Sequence, residues 1–513
     1  MTKTLSPQQE VVRNFPHTHR GSGFGEAVAG AGKTTTAMFM IAETEGSVAV
    51  MAYNKSAALE FETKARELKL NFGNRVRFGT CHSFGFGAWR YAYKNVKAGP
   101  EAAREKSDMM HVALQVPKSL QTFTSKLISL AKQRAVGLHG AMTDEKLYYD
   151  IIDHFDLAYE IEDEGLIKAG VEYTVKGLQW HKDMGSEIID FDDMIWLPVV
   201  TGVRMFGNDW VIGDEWQDAN PARRALARKM LKSNGRAFFI GDRHQAIYGF
   251  TGADNDSIGQ TIKQFNCVEL PMTVTFRCPQ AVVAKAREVV SHIEAHETAP
   301  EGTVVNTDEQ VFWQRIDGYR MAGQTEEAFD QINDAILCRN TKPLVETAFQ
   351  LIKRGIPCHV EGRDIGAGLI KLIDRFSSAK SLPALRDRMT AYCEQQVQKL
   401  NAKGRETQAQ AIQDRVDTVL VIADAVKTVD ELKDKITDMF QDADGERRKT
   451  LTLSTVHKSK GREWQRVFLM GENLYMPSSY ARQDWQLEQE RNLQYVAYTR
   501  AKSELVLVNM ERK

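Results

Sequence analysis

The feature that most restricts the fold is a rhythm. Short apolar runs, each closed by a polar or glycine turn, recur at 48–53 (VAVMAY), 210–215 (WVIGDE), 237–242 (AFFIGD), 335–340 (AILCRN), 451–457 (LTLSTVH), 466–471 (RVFLMG) and 504–510 (ELVLVNM), with long helical patterns between them. Strands that are apolar on both faces need helices on both sides, so the pattern predicts an α/β fold with parallel sheets. Two segments carry no such run. Residues 86–180 are helical in pattern with a Gly99-Pro100 break, and residues 364–445 are helical and strongly charged. Between 371 and 415 nine Lys/Arg face five Asp/Glu, and between 417 and 446 three face nine. The basic part reads as a solvated helix face. The chain therefore divides into two cores, each with a helical insertion. The first core is 1–85 with 181–270, interrupted by 86–180. The second is 271–363 with 446–513, interrupted by 364–445.

Composition narrows the partners. The length of 513 residues corresponds to about three or four domains. Net charge is −1, so any track for a polyanion must be local. The six cysteines lie far apart with no CxxC pair. That argues against a zinc site, an iron–sulfur cluster or a disulfide framework, and fits a reducing compartment. No apolar run has the length of a membrane-spanning helix, and the N-terminus MTKTLSPQQE is too polar for a signal peptide.

Residues 27–34 read AVAGAGKT, a phosphate-binding loop pattern with Ala27 in the first glycine position. Gly30 and Gly32 would let backbone N–H groups approach phosphate oxygens, and a helix starting at Lys33 would add its positive end. Lys33 would reach the β/γ phosphates and the Thr34 hydroxyl would hold Mg²⁺. A glycine-rich turn opening a helix would look the same. The preceding GFGEAV is a weak strand former.

Trp210–Glu215 ends a strand pattern in two carboxylates. A Mg·ATP site needs one acid near the metal and one to orient and deprotonate water; Asp214 suits the first role and Glu215 the second. Trp216-Gln217-Asp218 follows directly. Gln245 follows another strand end, where it could sense a γ-phosphate. Tyr248 and Phe250 are loop aromatics two apart, suited either to local packing or to stacking on bases.

With these residues assembled, the chain resembles the superfamily-1 helicases of the UvrD/Rep/PcrA group. The wording AYNKSAALEF, GTCHSFG and TFRCP is similar to the F-box DNA helicase branch. The resemblance runs from Leu5 to Lys502 with the motifs in family order, and it implies two RecA-like P-loop cores. It implies that Gln9 reads adenine, that Ala29, Gly30, Ala31, Gly32, Lys33, Thr34 and Thr35 cradle ATP, and that Mg²⁺ sits between Thr34 and Asp214. Phe276 would lie on the adenine and Glu463 near the ribose. Arg277 and Arg500, both in the second core, would reach the γ-phosphate. Asp190-Phe191-Asp192-Asp193 resembles the segment preceding the acidic motif. Tyr53, Asn54, Lys55, Thr80, His82, Tyr248, Phe250, Thr455 and His457 would contact single-stranded DNA or line its path.

The chain departs from the family pattern in three places. Phe250-Thr251 stands where Trp-Arg is frequent, Thr35-Thr36 where an arginine is frequent, and Ala52 where an aromatic is common. The activity implied is an ATP-dependent helicase moving 3′→5′ on single-stranded DNA and at single-strand/duplex junctions. The alternatives are a translocase that mainly strips bound proteins, or a nucleotide-switched DNA-binding module. The resemblance implies no membrane partner, allows a monomer, leaves protein partners open, and fits a cytoplasmic location in a prokaryotic cell.

Overall fold

The computed structural model describes residues 5–511 other than 156, 158–160, 162, 248–255, 403–405, 442–449, 480 and 482. Tyr248, Phe250 and Thr251 thus lie outside the described residues. The fold is α/β, and the chain divides into two compact units, Met1–Val28 with Gly32–Met272 and Ala29–Ala31 with Thr273–Lys513.

The first unit carries β1 (Ser22–Ala27), β2 (Val48–Ala52), β3 (Val76–Thr80), β4 (Asn208–Gly213), β5 (Leu231–Gly241) and β6 (Cys267–Met272). They form one sheet in the order β3-β2-β4-β5-β1-β6, and every pairing is parallel. Strand β1 is interior, between β5 and β6, although its sequence is poor in strand formers. The reason is packing: a Cβ on Gly23 would come within 2.7 Å of the Phe15 and Phe238 rings, so the glycine makes room for aromatics that the sheet buries. The insertion contributes helices Pro100–Ala113, Lys118–Gln133, Glu145–Phe155 and Glu164–Asp183. Met110, Leu127, Tyr148, Val171 and Leu178 from these helices share one core with Trp196 and Leu197 of the helix Asp193–Val200.

The second unit opens with a small pair, β7 (Val274–Thr275) and β8 (Glu294–Ala295). Its main sheet comprises β9 (Thr303–Asp308), β10 (Asp334–Cys338), β11 (Cys358–Glu361), β12 (Phe440–Gln441), β13 (Leu451–Thr455), β14 (Trp464–Met470) and β15 (Ala501–Asn509). The order is β12-β11-β13-β10-β14-β15-β9, again all parallel. Helices Arg363–Asp374, Leu382–Ala402, Glu406–Ala423 and Val429–Met439 make up the insertion. Their Leu369, Met389, Val419 and Ile436 share a core with Leu344, Val360 and Leu453. The basic and acidic stretches partly neutralise one another, through Arg386 with Asp424 and Lys433 with Asp374.

The apolar-run pattern identifies β2, β4, β5, β10, β13, β14 and β15; it passes over the glycine-rich interior β1 and the short pair β7 and β8, and in the main sheets it also misses β3, β6, β9, β11 and β12. Of those five, four are the outer strands of the two sheets, and β11 is flanked on one side only by the two-residue β12. An outer strand keeps polar side chains, as in β9 (TVVNTD), where no residue is buried, so it lacks the continuous apolar signature. Among the described residues no helix is long and apolar enough to cross a membrane.

Candidate functional site

The loop after β1 is shaped by two left-handed glycines, Gly30 (φ 75°) and Gly32 (φ 77°), a conformation that costs an L-residue with a Cβ. Gly32 is the N-cap of helix Lys33–Ala42 and offers no capping side chain. The first N–H groups of that helix are therefore not satisfied by a cap, as an anion-binding helix start requires. Ala29 and Ala31 are buried, Thr34 is half-buried in the first turn, and Thr35 and Thr36 are buried. Thr36 donates to the Gly32 carbonyl at 3.0 Å. Gln9 lies against the same turn: a Cβ on Gly32 would stand 2.8 Å from its Nε2. Its position is fixed by a reciprocal cap with Ser6, whose N–H donates to Gln9 Oε1 at 3.0 Å while the Gln9 N–H donates to Ser6 Oγ at 3.3 Å.

Strand β4 ends at Gly213 and delivers Asp214, which is buried, and Glu215, which adopts a left-handed φ of 50°. That turn brings Glu215 Oε1 to 2.8 Å from Lys33 Nζ. Gln217 ties the ends of two neighbouring strands together. Its Nε2 donates to Glu215 Oε2 at 2.5 Å, and its Oε1 accepts the Asp242 N–H at 3.1 Å. Asp242 in turn accepts from Gln245 Nε2 at 2.6 Å and from the His244 N–H at 3.0 Å. Trp216 stacks on Phe239 beneath this turn, with ring centroids 4.5 Å apart. Asp242 is a site residue that the sequence reading passed over. Its signal was present, since AFFIGD ends a buried strand in an acid just as WVIGDE does.

The charges do not balance. Burial pushes Asp214 up to about 7, the charge of Glu215 adds to this, and Lys33 only partly opposes it. Burial also raises Asp242. Burial would lower the Lys33 ammonium, but Glu215, Asp242 and Asp214 outweigh it and hold the group above its usual value. Asp214 Oδ1 is buried without a hydrogen-bond partner. A desolvated, unpartnered carboxylate oxygen in an acidic cluster is what a Mg²⁺ ligand presents, so these residues fit the ion.

The candidate nucleic-acid residues of this unit collect at the same, carboxyl-terminal edge of the sheet, where parallel α/β sheets bind ligands. The last residues of β2 and β3, Ala52 and Thr80, are register partners. Tyr53 follows β2, and the Arg223 guanidinium lies 5.0 Å from its ring centroid. Asn54 caps helix Lys55–Glu67 by accepting the Ala57 N–H at 2.8 Å, and Lys55 opens that helix exposed. Thr80 caps helix Cys81–Ala92 by accepting the Ser83 N–H at 3.1 Å. His82 is neutral: burial, with a smaller push from Arg223, lowers it to about 4. Arg223 was not singled out from the sequence; nothing in PARRAL separates it from an ordinary helix arginine.

In the second unit, Phe276 is 42 % exposed and tilts against His296 at 4.8 Å. Arg277 Nε donates to Glu463 Oε2 at 2.5 Å and Nη1 to the Thr499 carbonyl at 3.4 Å. Glu463 also pairs with Lys502 at 2.8 Å. Arg500 is 1 % exposed. It donates to the Val496 carbonyl at 2.9 Å, the Arg462 carbonyl at 3.0 Å and Thr499 Oγ1 at 3.3 Å. Both arginines thus gather on Thr499. Thr455 ends β13, and its Oγ1 accepts the Lys458 N–H at 3.4 Å. Burial and the Arg339 charge push His457 down to about 3, so it is neutral.

A left-handed glycine loop opening a helix, with a lysine held by strand-end acids, defines a P-loop α/β protein. The profile of the UvrD/REP helicase N-terminal domain matches residues 9–266, and that of the UvrD-like helicase C-terminal domain matches residues 369–512. The chain belongs to the UvrD/REP helicase family. It is similar to F-box DNA helicase protein 1 of Schizosaccharomyces pombe, 24 % identical over 94 % of this chain and 55 % of that protein. It is also similar to the ATP-dependent DNA helicase PcrA of Bacillus subtilis, 21 % identical over 65 % of this chain and 60 % of that protein. A third relative is the ATP-dependent DNA helicase Rep of Buchnera aphidicola, 22 % identical over 52 % of this chain and 41 % of that protein. The chain therefore spans between 41 % and 60 % of the length of these curated relatives.

Proposed function

We propose that the chain is an ATP-dependent DNA helicase or translocase that moves 3′→5′ on single-stranded DNA and couples Mg-ATP hydrolysis to strand separation. The observation that carries this reading is the Lys33–Glu215 pair at 2.8 Å beside the buried Asp214. Lys33 is held charged for the β/γ phosphates. Arrival of a triphosphate draws the ammonium away and releases Glu215 to orient and deprotonate water. Gln217 and Gln245 fix the acids on which that depends. Thr34 and Asp214 would hold Mg²⁺, which neutralises phosphate charge when bound. Gln9 and Phe276 are assigned to adenine and Glu463 to the ribose. Arg277 and Arg500 are assigned to the charge that develops on the transferred phosphoryl group.

Sequence-independent grip on DNA is assigned to Tyr53, Asn54, Lys55, Thr80, His82, Thr455 and His457, and to Tyr248 and Phe250. The test is ATP hydrolysis with and without single-stranded DNA, together with unwinding of 3′- and 5′-tailed duplexes. DNA should stimulate turnover, the 3′-tailed duplex should open, and Glu215→Gln should cut turnover by about 10²–10⁴. A rate indifferent to DNA, or untouched by Glu215→Gln, removes the motor. Unwinding of the 5′-tailed duplex alone reverses the direction.

A further inference from the structure

In the first unit the helical insertion and the α/β core border an open cavity of about 1130 Å³, which neither the nucleotide site nor the DNA candidates use. Its floor is aliphatic, built from Val136, Leu138, Leu147, Ile151 and Val199. The same lining carries Arg134, the buried Arg224, Arg228 and Lys229 and, among the described residues, two acids, Asp144 and Asp150. This local surplus of positive charge sits on a chain whose net charge is −1.

The guanidiniums of Arg224 and Arg228 both donate to Gln264. Arg134 lies over the Phe155 ring at 5.4 Å and Arg228 over the Phe265 ring at 4.5 Å. Lys229 donates to the carbonyls of Pro198 and Thr201, the latter at 2.7 Å. Among the described residues, Arg228 and Lys229 meet carbonyls and a ring but no carboxylate. Burial lowers Lys229 with no acid to counter it.

These features select an occupant. Single-stranded nucleic acid stacks on open aromatic faces, but here Phe265 is buried and covered by Arg228. One phosphate would leave the aliphatic part of the lining bare to water. We propose that this cavity docks an acidic peptide segment of a partner protein, with large aliphatic or aromatic side chains seated on the floor and Asp/Glu carboxylates meeting the lining cations.

The test pans a phage-displayed peptide library on the full chain and measures the enriched peptides by fluorescence anisotropy. Arg228 and Asp150 are both exposed, so Arg228→Glu and Asp150→Lys alter the charge of the lining without disturbing the core. Enriched peptides should combine acids with Leu, Ile or Phe. They should bind Arg228→Glu roughly tenfold more weakly and Asp150→Lys more tightly than the parent. DNA-stimulated ATP hydrolysis should be unchanged in both variants. Failure to enrich, enrichment without acids, or equal affinity for the two variants overturns the proposal. So does competition by oligothymidylate, which would make the cavity a nucleic-acid site.

Discussion

Lys132 and Lys33 are both lysines drawn among carboxylates, yet the first unit completes one cluster and leaves the other open. Lys132 Nζ lies 2.6 Å from Asp190, 2.8 Å from Asp193 and 2.9 Å from His181 Nδ1. Lys106 Nζ lies 2.7 Å from Asp193 and donates to the His181 carbonyl at 3.0 Å. The side chains of Lys106, Lys132 and Asp193 are 0 % exposed. Burial would raise Asp193, but the two lysines hold it well below the carboxylate range. His181 is pushed down to about 4 by burial and by Lys132, and stays neutral. Donor atoms of His181, Asp190 and Asp193 lie within 4.8 Å of one another, close enough to hold a metal ion, but the Lys132 ammonium already supplies the cation. At the phosphate loop one ammonium serves three acids, Lys33 and Glu215 are 12 % and 27 % exposed, and Asp214 is driven up. The closed cluster pins insertion helices to the core. The open one stores an unmet demand for a cation, which is what a site for Mg·ATP should do.

The largest effect that would sharpen this contrast is on turnover. Lys33→Ala should lower DNA-stimulated ATP hydrolysis by at least about 10³-fold while costing no more than about 1 kcal/mol of stability, because its acids can protonate or take up water. Steady-state kinetics and urea denaturation of the same preparation check both halves. Lys132→Met should do the reverse. Breaking a fully buried pair strands its partner and costs about 3–5 kcal/mol, visible as a lowered denaturation midpoint, with turnover per folded molecule largely kept. Equal destabilisation by the two substitutions would erase the distinction.

Much of this was legible in the sequence, and the limits are physical. Most strands buried on both faces announce themselves as apolar runs, the glycine-rich β1 excepted; outer strands such as Thr303–Asp308, largely polar and with no buried residue, do not. The phosphate loop, Asp214, Glu215 and Gln245 are local patterns, and so could be read directly. The closed cluster could not: Asp190–Asp193 stood out as a motif, but Lys106 and Lys132 come from insertion helices far away in sequence, and buried lysines look like surface ones until packing is known. Arg500 likewise gives no sign in YTRA that its guanidinium is tucked against the Val496 and Arg462 carbonyls.

A smaller effect tests the open cluster without nucleotide. Asp214 has a folded value near 7 against about 3.9 unfolded. The folded state therefore binds the extra proton, and its stability falls as pH rises from about 4 to about 7. Asp214→Asn should remove that dependence and raise the melting temperature of the nucleotide-free protein at pH 8 by at least about 2 °C, while abolishing Mg²⁺-dependent stabilisation. Scanning calorimetry at pH 5 and pH 8, with and without Mg²⁺, reads all three. A parent protein with a flat pH profile would mean that Asp214 is already compensated.

The smallest effect sits at the boundary between the two behaviours. Asp192 borders the closed cluster, yet burial and the neighbouring Asp190 push it up to about 6. Its Oδ2 accepts from Ser129 Oγ at 2.5 Å and its Oδ1 from Gln133 Nε2 at 3.3 Å; an amide oxygen can keep the second, and the amide N–H can donate to the Ser129 hydroxyl, which accepts as well as donates. Asp192→Asn should therefore cost less than about 1 kcal/mol at pH 5. At pH 7, where the parent carries the ionised and poorly compensated carboxylate, the variant should be at least as stable, because a raised carboxyl loses stability as pH climbs through its folded value. Denaturation midpoints at the two pH values decide it. A loss comparable to that of Lys132→Met would mean that the closed cluster needs the Asp192 charge, and that the pinning of insertion to core extends through Ser129 and Gln133.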